Sequence, residues 1–199
     1  MIPLKIYYNM VDFVPQIEEH IQNLRALVKN TQTIKVIEKV ALKLSESLKK
    51  NNPVLIFGNG GSASDALHLS GELVGRFLDE RRALNVICLN SNVSVLTAWG
   101  NDYNFETIFS RQVEAHGKPD GVCFGISTSG NSKNVIEAMK VARSMKMTTI
   151  ALSGNTGGYL PKMCDYLIKT PSVSTPRIQE MHLPIYHYIC EKVEKNINS

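Results

Sequence analysis

The sequence lacks the features that mark secreted, membrane-spanning or zinc-ribbon proteins. It has only 4 cysteines in 199 residues, and because no two of them form a CxxC pair, a zinc ribbon and a thioredoxin motif are excluded. The longest aliphatic or aromatic run is Val54–Phe57, which is far too short for a transmembrane helix. The first ten residues have no long apolar core, so no signal peptide is expected. We therefore expect a cytoplasmic protein without a membrane partner.

The chain also has little net charge. It carries 22 basic and 18 acidic residues, a net charge of +4, which is too small and too evenly spread to predict nucleic acid as a partner. With 43% hydrophobic and 20% charged residues, the composition is typical of a globular protein. The length predicts a single domain over residues 1–199 that buries its core without disulfides or structural metals.

Residues 1–50 carry the apolar periodicity of two helices. Asn51-Asn52-Pro53 should end the second helix, because proline cannot continue one. Since helices further along the chain can cover a sheet, we expect these N-terminal helices to pack between subunits. The apolar stripes are Ile17, Ile21, Leu24 and Val28 in the first helix, and Ile34, Ile37, Ala41, Leu44 and Leu48 in the second.

From residue 53 to 199, short apolar runs alternate with helical stretches. This alternation predicts a three-layer α/β fold, with a five-stranded parallel sheet flanked by helices. The expected strands are Val54–Phe57, Asn85–Leu89, Val122–Ser127, Thr148–Ser153 and Tyr166–Lys169. The expected helices are Ser62–Leu78, Val93–Ala98, Phe105–Ala115, Ser132–Met145 and Gly158–Cys164, then Thr175–Asn196 with Thr175 as N-cap and Pro176 in the first turn.

Two strand-to-helix loops have the composition of a phosphate cradle. Gly58–Ser62 is glycine-rich, but it is neither a Walker loop nor GxGxxG, and it could equally be a simple tight turn. Ser127–Ser132 places four hydroxyls before a helix N-terminus, where free N–H groups favour an anion. Neither loop has the lysine or metal pattern of phosphoryl transfer. We expect phosphate to be a bound handle rather than the reacting group.

Two pairs of side chains could supply chemistry. His68 and Glu72 are four residues apart, so they share one face of a helix. Such a pair can be a surface ion pair, half of a metal site or an acid/base pair. Gln179 and His187 fall on broadly the same side of the last helix, about 80° apart. Taken alone, His187 could equally be a core histidine.

Four segments, in this order, resemble the phosphoheptose isomerases of the sugar isomerase (SIS) family. They are GNGGSASDALHLSGEL, AWGNDYNFETIFSRQVEA, GISTSGNSKNV and TPRIQEMHLPIYH, and the resemblance spans roughly residues 10–195. It implies conversion of sedoheptulose 7-phosphate to D-glycero-D-manno-heptose 7-phosphate through an enediol. That reaction is the first step toward nucleotide-activated heptose for lipopolysaccharide, capsule or S-layer glycan.

The same resemblance implies site residues, a cofactor and an assembly. Zn²⁺ is expected, and the protein should be a cytoplasmic homotetramer with active sites at subunit interfaces. Glu72 and His187 match the family's catalytic pair. His68, Glu72, Gln179 and His187 match its metal ligands. The implied substrate contacts are Asn59, Gly60, Gly61, Glu72, Asn101, Asp102, Ser127, Thr128, Ser129, Ser132 and Gln179.

Two residues depart from the family pattern, and two other functions stay open. Pro184 lies inside the last helix and should kink it between Gln179 and His187. Gly71, beside Glu72, is a poor helix former and would suit close packing with another chain. The main alternative is a non-catalytic SIS protein, such as the initiator-associating factor that binds the replication initiator DnaA. A sugar-phosphate sensor is also possible, but no helix-turn-helix extension precedes the core.

Overall fold

The computed structural model describes residues 13–199, and the signal-peptide prediction therefore lies outside the described residues. The strands are β1 Val54–Gly58, β2 Val86–Cys88, β3 Val122–Ser127, β4 Thr148–Ser153 and β5 Tyr166–Lys169. The α-helices are α1 Phe13–Lys29, α2 Thr31–Lys49, α3 Gly61–Val74, α4 Val93–Asp102, α5 Ile108–His116, α6 Lys133–Ser144 and α7 Thr175–Asn198. Short 3-10 turns cover Phe105–Thr107 and Leu160–Lys162.

The five strands form one parallel sheet in the order β2-β1-β3-β4-β5, as predicted. Val54 pairs with Val86 on one side and with Val122 on the other. The chain leaves β1 toward one edge of the sheet, then crosses back to continue with β3. The loops after β1 and β3 therefore diverge at the carboxyl ends of neighbouring strands, where α/β sheets bind ligands.

The sheet is covered on both faces, which confirms the three-layer prediction. Successive residues of β1 alternate between two apolar clusters, because neighbouring side chains of a strand point to opposite faces. One cluster joins the sheet to α2, α3 and α7 through residues such as Leu44, Leu69 and Ile185. The other joins it to α5 and α6 through Phe109 and Val135.

The two N-terminal helices differ in how they pack. Ile37, Ala41, Leu44 and Leu48 of α2 are buried in the core of their own chain. That stripe of α2 is therefore not free for contacts between subunits, and the expectation that both helices serve an interface is wrong for this face. In α1 only Leu27 is buried; Leu24 is partly buried against the core, and the exposed large apolar side chains are Phe13, Val14, Ile17, Ile21 and Val28.

Several helix boundaries differ from the prediction for local reasons. The helix expected over Ser62–Leu78 ends at Val74, where the N–H of Gly75 bonds the Gly71 carbonyl. The stretch Gly158–Cys164 forms only a 3-10 turn, because Gly157 and Gly158 have positive φ angles of 70° and 52°. The expected helix Val93–Ala98 continues to Asp102, and Phe105–Ala115 begins with a 3-10 turn.

The last helix, α7, is continuous from Thr175 to Asn198. Its N-cap is Ser174 rather than Thr175, so the predicted cap is wrong by one residue. Pro184 lies inside α7 and is exposed, and it does not end the helix. Because proline has no N–H, α7 lacks the backbone hydrogen bond to the Glu180 carbonyl at this point.

The four cysteines are free thiols. Three are buried, and burial raises the pKa of the Cys123 thiol well above its usual value. Within residues 13–199, no helix combines the length and the apolar character that crossing a bilayer requires.

Candidate active site

Helices α3 and α7 lie side by side and run in the same direction. Residues about 118 positions apart meet along them, as the hydrogen bond between His68 and Tyr186 shows. The same offset brings Phe77 to Glu194. We call this line of contact the α3–α7 seam, and we define it by the residues of the two helices that touch across it. The seam begins at the glycine loop after β1.

The seam brings together three of the predicted metal ligands, which include both members of the predicted catalytic pair. The Nε2 atom of His68 lies 3.1 Å from Oε1 of Glu72 and 3.4 Å from Nε2 of His187. The rings of His68 and His187 meet edge to face, with centroids 5.1 Å apart. His68, Glu72 and His187 therefore form one polar cluster, which we call the His–Glu cluster.

The His–Glu cluster lies at the surface but is backed by buried groups. The ring of Phe77 packs against His187, with centroids 5.2 Å apart. Burial lowers the pKa of His187, and nearby His68 lowers it further, whereas the negative charge of Glu72 acts in the opposite direction. The imidazole of His187 is therefore neutral near pH 7, where it can both accept and donate protons.

Behind the cluster, the Tyr186 hydroxyl lies 3.1 Å from Nδ1 of His68. Tyr186 is buried, and its burial, followed by the charge of Asp65, raises the pKa of its phenol well above the usual value. The hydroxyl is therefore a neutral group at physiological pH. Further along, Asp65 lies 3.7 Å from Nδ1 of the fully buried His182.

Gln179 lies at the start of the seam rather than inside the His–Glu cluster. Its side-chain amide packs against Gly61, where an added Cβ would come within 2.3 Å of Nε2. Only glycine at position 61 permits this approach. The predicted metal set is therefore divided in this chain: three ligands are adjacent, and Gln179 borders the glycine loop.

The loop Ser127–Ser132 is held by bonds within the chain. The hydroxyls of Ser127 and Ser132 are 3.0 Å apart, and the N–H of Asn131 donates to Oγ of Ser129. Gly130 has a φ of +67°, and its Cα packs so closely on Gly157 that a Cβ would lie 2.0 Å from the Gly157 carbonyl oxygen. Ser129 is exposed, and α6 begins directly after the loop with free N–H groups.

Hydrogen bonds between side chains join the glycine loop after β1 to the segment that follows the Ser127–Ser132 loop. The amides of Asn59 and Asn134 exchange two hydrogen bonds, of 2.8 and 3.0 Å. The side chain of Asn59, predicted to contact substrate, is therefore occupied within the protein. Gly60, with a φ of +56°, is exposed beside it. The backbone of this loop is thus the part available to a ligand.

The predicted substrate residues Asn101 and Asp102 lie on α4. They are exposed, and the amide of Asn101 bonds the carboxylate of Asp102 at 3.0 Å. Neither has a hydrogen bond to the His–Glu cluster or to the Ser127–Ser132 loop within the part of the chain that the structure describes. Their role remains a prediction.

The donor types of the cluster fit zinc, although residues 13–199 hold no assembled group of metal ligands. Ligands bound to zinc at 2.0–2.1 Å in a tetrahedron are about 3.3 Å apart, close to the 3.1 and 3.4 Å measured around His68. Across residues 13–199, however, no three His, Cys, Asp or Glu side chains are already arranged to hold a metal ion. The spacing is suitable, and the ligand geometry is not yet formed.

Sequence reasoning missed the groups that hold the seam together. Beyond the cluster, Glu194 accepts N–H bonds from Phe77, Leu78 and Asp79. It also pairs with the buried Arg81 at 3.2 Å. Tyr186 and Asp65 were missed as well. The one available signal was spacing: Asp65 is three residues before His68, and Tyr186 is four after His182.

An unpartnered apolar stripe lies on α3 beside the cluster. Leu67 and Val74 are exposed by 47% and 43%, and Leu78 follows at 60%. Between them, an added Cβ at Gly71 would meet nothing within 4 Å in residues 13–199. Nothing in this part of the chain requires a glycine at this position, so the space above it is open to a neighbouring molecule.

Comparisons with known proteins place the chain in a family. The SIS domain family model matches residues 18–154. The chain is 44% identical over 185 residues to a phosphoheptose isomerase of Aneurinibacillus thermoaerophilus, covering 91% of this chain and 93% of the relative. It is 52% identical over 158 residues to the phosphoheptose isomerase of Aquifex aeolicus, covering 79% and 83%.

A solved structure agrees with this similarity. The phosphoheptose isomerase of Neisseria gonorrhoeae superimposes with a TM-score of 0.86 at 37% identity, covering 92% of this chain and 96% of that one. Relatives at this identity over most of the chain show common membership. The chain belongs to the phosphoheptose isomerases of the SIS domain family, and it is an isomerase.

Proposed function

We propose that the protein interconverts sedoheptulose 7-phosphate and D-glycero-D-manno-heptose 7-phosphate. The observation that carries the proposal is the meeting of His68, Glu72 and His187 on the α3–α7 seam, with hydrogen-bonding distances of 3.1 and 3.4 Å. The names of the relatives supply the substrate class. The product enters heptose biosynthesis for lipopolysaccharide, capsule or S-layer glycan.

The reaction moves a proton between two adjacent carbons, and the cluster provides two suitable groups. Glu72 takes the proton from C1 of the ketose, and the electron pair of that bond forms the enediol double bond as O2 gains a proton. His187 manages the protons on O1 and O2, because a neutral imidazole can do both. Return of a proton to C2 and loss of the proton from O1 give the aldose.

The phosphate end of the substrate is held by the Ser127–Ser132 loop. The hydroxyls of Ser127, Thr128, Ser129 and Ser132 and the N-terminus of α6 form a cradle without charged side chains. His68 lies about 10 Å along α3 from Gly61, where the glycine loop ends. A seven-carbon sugar phosphate is long enough to bring its phosphate to the loops and its C1 to the cluster.

Zinc and self-assembly are part of the proposal. His68, Glu72, Gln179 and His187 would hold a zinc ion, which when bound polarises the carbonyl and hydroxyl oxygens of the substrate. Support for a homotetramer with sites at subunit interfaces comes from the exposed apolar stripe beside the cluster. The free cysteines suit a cytoplasmic setting.

The test is turnover of sedoheptulose 7-phosphate by the purified protein, followed as formation of the aldose. We expect turnover, and we expect a chelator to reduce it and added Zn²⁺ to restore it. Absence of turnover under both conditions would overturn the proposal and leave a non-catalytic binding protein, of the type that associates with the DnaA initiator.

A further inference from the structure

We propose that Tyr186 is a positioning residue that sets the tautomer and the ring orientation of His68. The inference rests on the proposed function, because it concerns the same site. The motivating geometry is simple: the Tyr186 hydroxyl lies 3.1 Å from Nδ1 of His68, while Nε2 of the same ring faces Glu72 at 3.1 Å. The two ring nitrogens thus have different and opposed partners.

The chemistry of these partners determines where the ring hydrogen lies. As a carboxylate, Glu72 can only accept a hydrogen bond, so Nε2 of His68 carries the hydrogen. A neutral imidazole has one N–H, which leaves Nδ1 as an acceptor. The hydroxyl of Tyr186 therefore donates to Nδ1.

Tyr186 is well placed to hold this arrangement. It is buried, and its ring packs edge to face on both His68 and His187, with centroids 5.4 and 5.2 Å away. The hydroxyl is therefore fixed by packing before substrate arrives. A phenol can also accept a hydrogen bond from Nδ1–H. Tyr186 would therefore keep the His68 ring in place when a metal ion requires Nε2 without its hydrogen.

The neighbouring Tyr188 shows that this role is specific to one position. Its hydroxyl donates to Glu38 on α2 and makes no bond to the cluster in residues 13–199. Tyr188 lies two residues further along α7 and points to a different partner. It provides a matched control, since its removal deletes a hydroxyl from the same helix without touching His68.

The experiment compares Tyr186→Phe with Tyr188→Phe. Both variants keep the aromatic ring, so both should fold. In ¹⁵N-labelled protein freed of metal by a chelator, the ring nitrogens of His68 are identified by their loss in His68→Gln, at a pH where the imidazole is neutral. We expect a single tautomer with hydrogen on Nε2 in the wild type and in Tyr188→Phe, and a mixture of tautomers in Tyr186→Phe.

Kinetics supply the second readout. We expect kcat of Tyr186→Phe to fall about 5- to 30-fold, the range for loss of one hydrogen bond behind a reacting group. KM should change less than about twofold, because Tyr186 does not touch the phosphate loop. Tyr188→Phe should keep wild-type kcat.

The outcomes separate this inference from the proposed function. If the wild type turns over substrate but Tyr186→Phe matches it in tautomer and in kcat, Tyr186 has no positioning role. If the wild type lacks turnover, the proposed function fails, while the tautomer comparison still decides whether Tyr186 controls His68.

Discussion

The Ser127–Ser132 loop and the His–Glu cluster are built in opposite ways. Two bonds close the loop locally, Ser127 to Ser132 and Asn131 to Ser129, and the Gly130 carbonyl also accepts from the N–H of Tyr159 in the loop after β4. The cluster depends on two helices that are more than 100 residues apart in sequence. Its groups are partly exposed, and an open apolar stripe lies beside them.

This difference shows which contacts fix the geometry of each region. A phosphate cradle needs turn chemistry, which residues 127–132 largely supply themselves, with support from Gly157 and Tyr159. An acid/base cluster needs the register of α3 against α7, which is set by distant contacts such as those of Glu194. Changes at the seam should therefore damage catalysis and leave phosphate binding intact, and changes in the loop should do the reverse.

The largest expected effect comes from Glu194→Ala. Glu194 is 1% exposed. Its carboxylate accepts hydrogen bonds from three backbone N–H groups and forms an ion pair with Arg81. Removing one partner of a buried pair leaves an uncompensated charge, which costs about 3–5 kcal/mol of unfolding free energy. Urea unfolding measures this loss. The control Glu46→Ala breaks an exposed pair with Lys43 and should cost less than about 1 kcal/mol.

The same residue predicts an acid dependence of stability. Burial alone would raise the pKa of Glu194, but the N–H groups of Phe77, Leu78 and Asp79, with Arg81, outweigh it, and the pKa lies below the usual 4.5. The stabilisation is therefore complete above pH 4.5 and is lost as the pH falls through the lower folded-state value. Glu194→Gln should lose this part of the acid dependence. An unchanged dependence would show that Glu194 does not cause it.

Next in size is the loss of an acid/base group. His187→Ala should lower kcat by at least about 10²-fold, the low end for general acid–base catalysis, with little change in KM. If Glu72 and His187 carry one coupled proton transfer, the double variant should be little slower than either single variant. Independent, multiplying losses would contradict this coupling.

Ser129→Ala tests the loop alone. Its hydroxyl is exposed and available to a phosphate, so its removal should raise KM and cost about 1–3 kcal/mol in kcat/KM. Stability should change little, because the bond lost, from the N–H of Asn131 to Oγ of Ser129, is exposed and the contacts of Gly130 and Ser132 remain. Ser144→Ala, at the other end of α6, is the control. A KM equal to that of the wild type would remove the loop from phosphate binding.

The smallest effect on the single chain is expected at Gly71. Gly71→Ala should stabilise α3 by up to about 1 kcal/mol, because nothing in the described part of the chain occupies the space above it. Gly71→Leu should instead reduce the assembly from a tetramer to smaller species in light scattering. Lys140→Leu, at an exposed site on α6, controls for added apolar surface. A monomeric wild type at micromolar concentration would reject the assembly.

The fold was predictable because its signals are local. The runs at β3, β4 and β5 are bounded by turn residues, and their limits agree with the structure. The helix predicted over Gly158–Cys164 does not form, because the positive φ angles of Gly157 and Gly158 are incompatible with a helix. In the site, the spacing of His68 and Glu72 was visible in sequence. Their contact with His187 was implied only by the family resemblance, because it depends on tertiary register.

The partner of Tyr186 and the anchor at Glu194 were beyond sequence reasoning for the same reason. The sequence of an amphipathic helix does not indicate which residues of another element its tyrosine or glutamate side chains contact. Asn59 remains a predicted ligand contact, and the pairing of its side chain with Asn134 was likewise not visible in the sequence.

The central claim is that Glu72 moves a carbon-bound proton of a heptose phosphate. The most direct measurement is turnover of sedoheptulose 7-phosphate in deuterated water by the wild type and by Glu72→Gln, a nearly isosteric change. We predict that the wild type places deuterium on the C2 carbon of the product, and that Glu72→Gln binds substrate but turns over at least about 10²-fold more slowly. Wild-type kcat in Glu72→Gln would contradict the account.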